Sequence, residues 1–444
     1  MSQYDHSGPR INSIIEVNPD ALHIADALDY ERANVGVRGP LHGIPILLKD
    51  NIDTADKLHT SAGSLALKDS YSQRDAHLVS RLREAGAVIL GKTNMSEWAY
   101  FMTMENMPSG YSSRGGQVKN PYGPFDVGGS SSGSGAAIAA QFATAAIGTE
   151  TSGSILNPSS QNSLVGIKPT VGLISRDGII PISHTQDTAG PMTRTVREAV
   201  HVLATIMGND EKDPATRKNP LTKEELYAAL EQPTLKGVRV GIAREGFVDQ
   251  LPELKRVVIN EAIEQLMEAG AEVIDEIVIP SAKEKWSFNV LLYEFKVNIN
   301  AYLSKTNVEL RTLTDVIRFN QEDPERRLKY GQSLLTKSDQ TSGTLTEKEY
   351  LEALQFDQYH ATVNGIDAAI EQNQLDVIVF PNNLGASIAA KPGYPSITVP
   401  AGYTAEGEPV GITFTSTAFT EAQLISIAAA FEGIGKRRKN PKLS

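Results

Sequence analysis

The chain has 444 residues, 40% of them hydrophobic, a formal net charge of −11 and no cysteine. Lack of cysteine excludes thiol nucleophiles, disulfides and Cys-ligated metals together, and the acidic balance speaks against nucleic-acid binding or attachment to an anionic membrane. No run approaches the roughly 20 apolar residues of a membrane helix, and the polar start Met1 to Pro9 reads as no secretory signal, so a cytoplasmic protein with a large core is expected.

From the N-terminus, helical and extended patterns alternate. Asn18 to Asn34 is alanine-rich and predicts a helix, Gly43 to Leu48 a buried strand, His77 to Ala85 a helix and Ala87 to Leu90 a strand. Ser134 to Thr144 predicts a helix of small residues, and Val196 to Met207 a further helix. The polar stretch Gly208 to Gly237 reads as a surface excursion, followed by strand Val238 to Ala243, helix Val257 to Ala269 and strand Ala271 to Ile279. Helical segments fill much of Ser281 to Asn373, and Leu375 to Pro381 returns as a strand. Ser396 to Pro400 and Val410 to Thr415 pair across a Gly/Glu/Pro turn, and Thr420 to Glu432 closes the chain with an amphipathic helix. Apolar strands alternating with helices imply an α/β fold with a largely buried sheet. No repeat and no linker divides 1–444, so a single domain is expected.

The stretch from 128 to 154 carries the chemistry. Gly128-Gly129-Ser130-Ser131-Ser132-Gly133-Ser134-Gly135 and Gly148-Thr149-Glu150-Thr151-Ser152-Gly153-Ser154 flank one short helix of small residues. Glycines let backbone turn sharply and approach closely. Two serine hydroxyls and a set of free backbone N–H groups meet there, which is the inventory for attacking a carbonyl and holding the oxyanion. Lys49 ends the apolar run Ile44 to Leu48. An ion pair with Asp50 or Asp53 is the plain alternative for it. A lysine drawn into low dielectric instead loses its preference for charge and becomes a usable base.

Two other patterns fail on context. Gly86-Ala87-Val88-Ile89-Leu90-Gly91-Lys92-Thr93 matches a phosphate loop by letters, yet its centre is itself the apolar strand and a helix precedes it, so no ATP site is expected. Gly129-Ser130-Ser131-Ser132-Gly133 matches a nucleophile elbow with Ser131 as nucleophile. That elbow needs a long strand before it and an Asp and a His after it, which leaves an α/β-hydrolase esterase as a weaker alternative. The eight histidines show no metal-ligand spacing, so no metal and no cofactor is expected. The basic run Lys436-Arg437-Arg438-Lys439 reads as a solvated end, and Trp98 and Trp286 as core or pocket wall.

The serine-glycine stretch resembles the amidase signature family, and the resemblance extends along most of the chain. It is carried by the 24-residue spacing of Ser130 and Ser154, and by Gly39-Pro40-Leu41-His42-Gly43-Ile44-Pro45-Ile46-Leu47-Leu48-Lys49-Asp50-Asn51. Gly91-Lys92-Thr93-Asn94, Val165-Gly166-Ile167-Lys168-Pro169-Thr170, Asp187-Thr188-Ala189-Gly190-Pro191-Met192 and Gly393-Tyr394-Pro395-Ser396 extend it. The resemblance implies one large domain with a mixed central sheet covered by helices on both faces. Its catalytic core would span about 38–200 and 374–435, with a variable, largely helical region about 208–373. It implies Ser154 as nucleophile, Ser130 behind a cis Gly129–Ser130 bond as relay, and Lys49 as base, with Ser131 hydrogen-bonded to Lys49. Backbone N–H groups of Thr151, Ser152, Gly153 and Ser154 would hold the oxyanion.

Within the family, Ser113-Arg114-Gly115-Gly116-Gln117, Asn120-Pro121 and the run from Lys168 to Met192 look most like bacterial peptide amidases, which release ammonia from C-terminal carboxamides. A small-molecule or peptide amide substrate follows; the oligomeric state stays open. Three departures widen the range. Leu156 stands where many members carry Arg, Ser152 where peptide amidases carry Asp, and Asn382 to Pro392 is shorter than usual. The chain also lacks much of the usual N-terminal helical region. Anilides, carbamates and oligoamides therefore join the possible substrates, and an inactive binding scaffold is the non-enzyme reading.

Overall fold

The apolar runs become the inner strands of one 11-stranded mixed sheet. The computed structural model describes residues 1–435 and 437–443. The strands are β1 (Ile14–Val17), β2 (Pro45–Lys49), β3 (Val88–Thr93), β4 (Tyr111–Ser112), β5 (Gly116–Gln117), β6 (Ala145–Glu150), β7 (Val165–Lys168), β8 (Thr188–Thr193), β9 (Arg239–Ile242), β10 (Glu272–Asp275), β11 (Val377–Pro381), β12 (Ser396–Tyr403) and β13 (Pro409–Thr415). The sheet order is β1-β3-β2-β6-β8-β7-β12-β13-β11-β9-β10, while β4 and β5 form a separate hairpin. β2 lies parallel to both β3 and β6, a position buried on both faces that demands its unbroken apolar sequence.

Alternation along β2 assigns its two faces. Ile46 and Leu48 join the main core beneath the helices Val196–Ile206 and Glu421–Ile434. Leu47 turns the other way, to Ala137 and Ile138 of the helix Ser132–Ala139. Helices thus cover both faces of a mixed sheet, as the α/β reading requires.

Several elements differ from the sequence expectations. The small-residue helix expected over Ser134 to Thr144 runs from Ser132 to Ala139. Gln141 takes a left-handed φ of 63°, because the chain must reverse there to start β6, whose Ala145 pairs with Ile46 of β2. Alanine-rich sequence cannot announce that reversal. Strands β1, β6, β7 and β8 go beyond the expected set; β1 is only four residues long, and Gly, Pro or Thr dilutes the apolar signal of the other three. The surface excursion expected over Gly208 to Gly237 contains the helix Lys223–Glu231, with a capping box from Thr222 and Glu225 and with Leu226 and Leu230 buried. The Thr-x-x-Glu spacing is its signal.

The expected solvated end is instead packed. The Arg437 guanidinium stacks 4.0 Å from the Phe431 ring centroid, and Lys439 N–H donates to the Tyr403 hydroxyl at 2.8 Å. Lys436 lies outside the described residues. Among the described residues no helix is long and apolar enough to cross a membrane.

Candidate active site

The helix Ser132–Ala139 is built of small residues because it crosses other backbone closely. A Cβ on Gly133 would stand 2.3 Å from the carbonyl oxygens of both Ser13 and Asn94. This close approach seats Gly129, Ser130 and Ser131 beside the C-terminal end of β2, whose last residue is Lys49. The Gly129–Ser130 peptide is cis.

Lys49 is fully buried. Its Nζ lies 2.7 Å from Ser130 Oγ, 2.9 Å from Thr149 Oγ1 and 3.1 Å from the Thr149 carbonyl oxygen. No carboxylate is within ion-pair distance of Nζ among the described residues, so the pairing with Asp50 or Asp53 does not occur. Asp50 faces Arg114, Ser61 and the Gly63 N–H, and Asp53 accepts from the Tyr302 hydroxyl. Burial pushes Lys49 down to about 7, against the upward pull of the Glu150 and Asp187 charges. In the neutral amine, two N–H groups satisfy the Thr149 oxygens and the lone pair meets the Ser130 hydroxyl.

Ser154 sits in the tight loop after β6, where Gly153 needs a left-handed φ of 82°. It is 8% exposed, its neighbour Ser152 is exposed, and its Oγ has no hydrogen-bond partner among the described residues. The two serine loops are tied through backbone, with Ser131 N–H donating to the Ser154 carbonyl at 3.2 Å. A Ser130-to-Ser154 side-chain bond is not formed in this resting state. Catalytic hydrogen bonds are commonly loose until substrate binds.

Glu150 explains why Ser154 is free. A serine just before a helix would ordinarily cap it, yet here the buried Glu150 carboxylate accepts from the N–H groups of Gly153, Ile155 and Leu156 at 2.7, 2.7 and 3.0 Å. The same contact corrects the expected oxyanion set. The Gly153 N–H is already donated to a carboxylate, which leaves those of Thr151, Ser152 and Ser154 without a partner among the described residues. Ser131 also differs from expectation. Its hydroxyl donates to the Thr149 carbonyl at 3.1 Å rather than to Lys49, so the two share an acceptor. A fully buried Ser131 engaged in this way is poorly suited to be a nucleophile.

Asp187 secures the far side of the loop. It accepts from Thr151 Oγ1 at 2.6 Å and from the N–H groups of Ile182 and Ser183 at 2.8 Å each; burial lifts it to about 6 against those donors. Glu294, on the helix Asn289–Leu303, accepts from the Thr185 N–H at 3.2 Å and from the Ser183 hydroxyl, so this helix braces the same segment.

A cavity of about 580 Å³ opens past the C-terminal ends of β2 and β6, the usual ligand crevice beside parallel strands. Asn51, Thr149, Glu150, Thr151 and Asp187 line it, and Lys49, Ser130 and Ser154 are not among its lining residues. Sequence reasoning assigns no role to the side chains of Thr149, Glu150, Asp187 and Asn51. Each lies inside a quoted motif, and a carboxylate amid Gly, Ser and Thr is the available signal for Glu150. Among the described residues no group of three or more His, Asp or Glu could hold a metal ion. The phosphate-loop look-alike is strand β3.

A family model described as Amidase matches residues 1–425. The "Probable amidase" of Arabidopsis thaliana is 44% identical over 98% of this chain and 85% of its own length. Among solved structures, native peptide amidase of Stenotrophomonas maltophilia superposes with a TM-score of 0.93 at 45% identity, covering 99% of this chain and 92% of that one. An amidase family protein from Bacillus anthracis gives 0.93 at 42% identity, covering 99% and 86%.

Proposed function

Since the chain belongs to the amidase family and is an amide-hydrolysing enzyme, we propose that it works as a Ser–cis-Ser–Lys hydrolase of the peptide-amidase kind, releasing ammonia from carboxamides in the cytoplasm. The observation that carries this reading is the 2.7 Å contact between Ser130 Oγ and a buried lysine with no carboxylate partner. Neutral Lys49 takes the Ser130 proton as Ser130 takes that of Ser154. Ser154 Oγ forms a bond to the amide carbon, and the carbonyl electrons move to oxygen, where the N–H groups of Thr151, Ser152 and Ser154 meet them. The proton returns through Ser130 to nitrogen, the C–N bond breaks and ammonia leaves. Water then attacks the acyl-enzyme by the same relay.

The peptide-amide preference is supported by the 45% identity to a peptide amidase. Two measurements test the whole. A sulfonyl fluoride should label Ser154, read by mass spectrometry, and Ser154→Ala should abolish turnover while remaining folded. Label on Ser131, with Ser154→Ala still active, would sink the assignment. Ammonia and amine release from amidated peptides, small amides, anilides, carbamates and oligoamides ranks the substrates.

A further inference from the structure

Among the described residues, Asn51 is the one cavity-lining side chain that holds a buried polar atom without a partner. The residue is 2% exposed. Its Nδ2 donates to Thr149 Oγ1 at 3.0 Å, and its Oδ1 accepts from nothing. The same Thr149 Oγ1 accepts from Lys49 Nζ at 2.9 Å. One end of the Asn51 amide is therefore pinned to the hydroxyl that also holds Lys49, and the other end is an unused acceptor. Leaving a buried carbonyl unsatisfied costs about 1–3 kcal/mol, a cost that a ligand N–H would remove.

We infer that Asn51 Oδ1 accepts a hydrogen bond from an N–H of the scissile amide nitrogen, making Asn51 a specificity-determining residue for the leaving group. This rests on the serine-amidase reading given above. Primary and secondary amides carry such an N–H; esters and N,N-disubstituted amides do not. The contact orients the nitrogen while leaving its lone pair free for the proton coming through Ser130. Sites built to hydrogen-bond a substrate N–H reject analogues that lack it far more strongly than apolar pockets reject an extra methylene.

The test compares matched substrates: a primary amide, the methyl ester and the N,N-dimethylamide of one acyl group. Asn51→Ala should lower kcat/KM for the primary amide about 10- to 100-fold more than for the ester or the dimethylamide. Thr149→Val, which disturbs Lys49 from the same direction, should lower all alike. Asn51→Asp retains an acceptor and should keep the amide-to-ester ratio within a few-fold of the unsubstituted enzyme, which also guards against Asn51→Ala failing to fold. Equal loss of amide and ester in Asn51→Ala would overturn the inference and leave Asn51 as a support for Thr149. Failure of the unsubstituted enzyme to cleave any amide would instead overturn the reading beneath it.

Discussion

Two buried lysines lie side by side on parallel strands: Leu48 is in register with Lys92, and Lys49 with Thr93. Both are fully buried, and burial lowers the pKa of each. Their partners separate them. Lys92 Nζ is caged by the carbonyls of Ile52 and His59 at 2.6 and 3.0 Å and by Thr60 Oγ1 at 2.9 Å, with Asp50, Asp53, Asp56 and Glu16 around it. Lys49 has two hydroxyls among its three contacts, and one of them belongs to Ser130. A carbonyl accepts but has no proton to give. The one hydroxyl beside Lys92, that of Thr60, gives its proton to the Ile52 carbonyl at 3.4 Å, so desolvation alone does not make a base; the role proposed for Lys49 rests on the serine hydroxyl it meets. The contrast also accounts for the phosphate-loop look-alike, whose lysine pins strand ends together inside the molecule.

The largest effect expected from breaking this contrast is at Lys49. Lys49→Ala should cost about 1,000-fold or more in kcat/KM, near the upper range for a general base. Lys49→Arg should be nearly as damaging despite keeping the charge, since a guanidinium stays protonated. Steady-state kinetics on protein verified as folded decides it; near-normal turnover in Lys49→Arg would refute the role. At Lys92 the opposite split is expected. Lys92→Met strands two buried carbonyls and the surrounding carboxylates, so stability should fall by about 2–4 kcal/mol, read as a lower denaturation midpoint. The kcat of the remaining folded enzyme should change less than about tenfold. A collapse of kcat with unchanged stability would erase the distinction between the two.

Sequence made the fold class legible and singled out Lys49, Ser130 and Ser154 as the proposed set, for separate reasons. The inner strands β2 and β11 carry strong continuous apolar signals, whereas β6, β7 and β8 hide in glycine- and threonine-containing runs that propensity cannot read as extended. Their strand character comes from pairing with neighbours far away in sequence. The proposed catalytic trio was visible through motif and spacing. The groups that prepare it were not, because their roles depend on direction. Glu150 could as well have faced solvent, yet it folds back onto three N–H groups of the next loop. Only that contact reveals why Ser154 keeps a free hydroxyl and why Gly153 drops out of the proposed oxyanion donors.

A smaller effect should come from Glu150→Gln. The neutral amide retains one acceptor oxygen where the carboxylate serves three N–H groups through two, so the Ser154 loop should loosen. A fall in kcat of about 10- to 100-fold is expected, with slower sulfonyl fluoride labelling of Ser154 as the independent readout. Unchanged labelling and turnover would mean that the carboxylate contributes nothing to loop order.

The smallest and most diagnostic change is in pH dependence. In the proposed mechanism turnover requires neutral Lys49, so the rate should rise with pH through about 7 and fall away below it. The negative charge of Asp187 favours protonated Lys49 and holds its pKa up. Removing that charge in Asp187→Asn stabilises the neutral amine by comparison, so the acidic limb should move to lower pH. The substituted amide would still offer an oxygen to Thr151 Oγ1 but could not accept from both Ile182 and Ser183 N–H groups as well, so plateau kcat should also drop, by about tenfold or less. The two consequences separate electrostatics from loop support. A purely structural Asp187 would lower the plateau and leave the limb where it was, whereas a charge acting on Lys49 must move the limb in the acid direction. Full pH profiles of kcat/KM for the two proteins, measured at low ionic strength to limit screening, decide it, and a limb displaced toward higher pH would contradict the sign of the interaction.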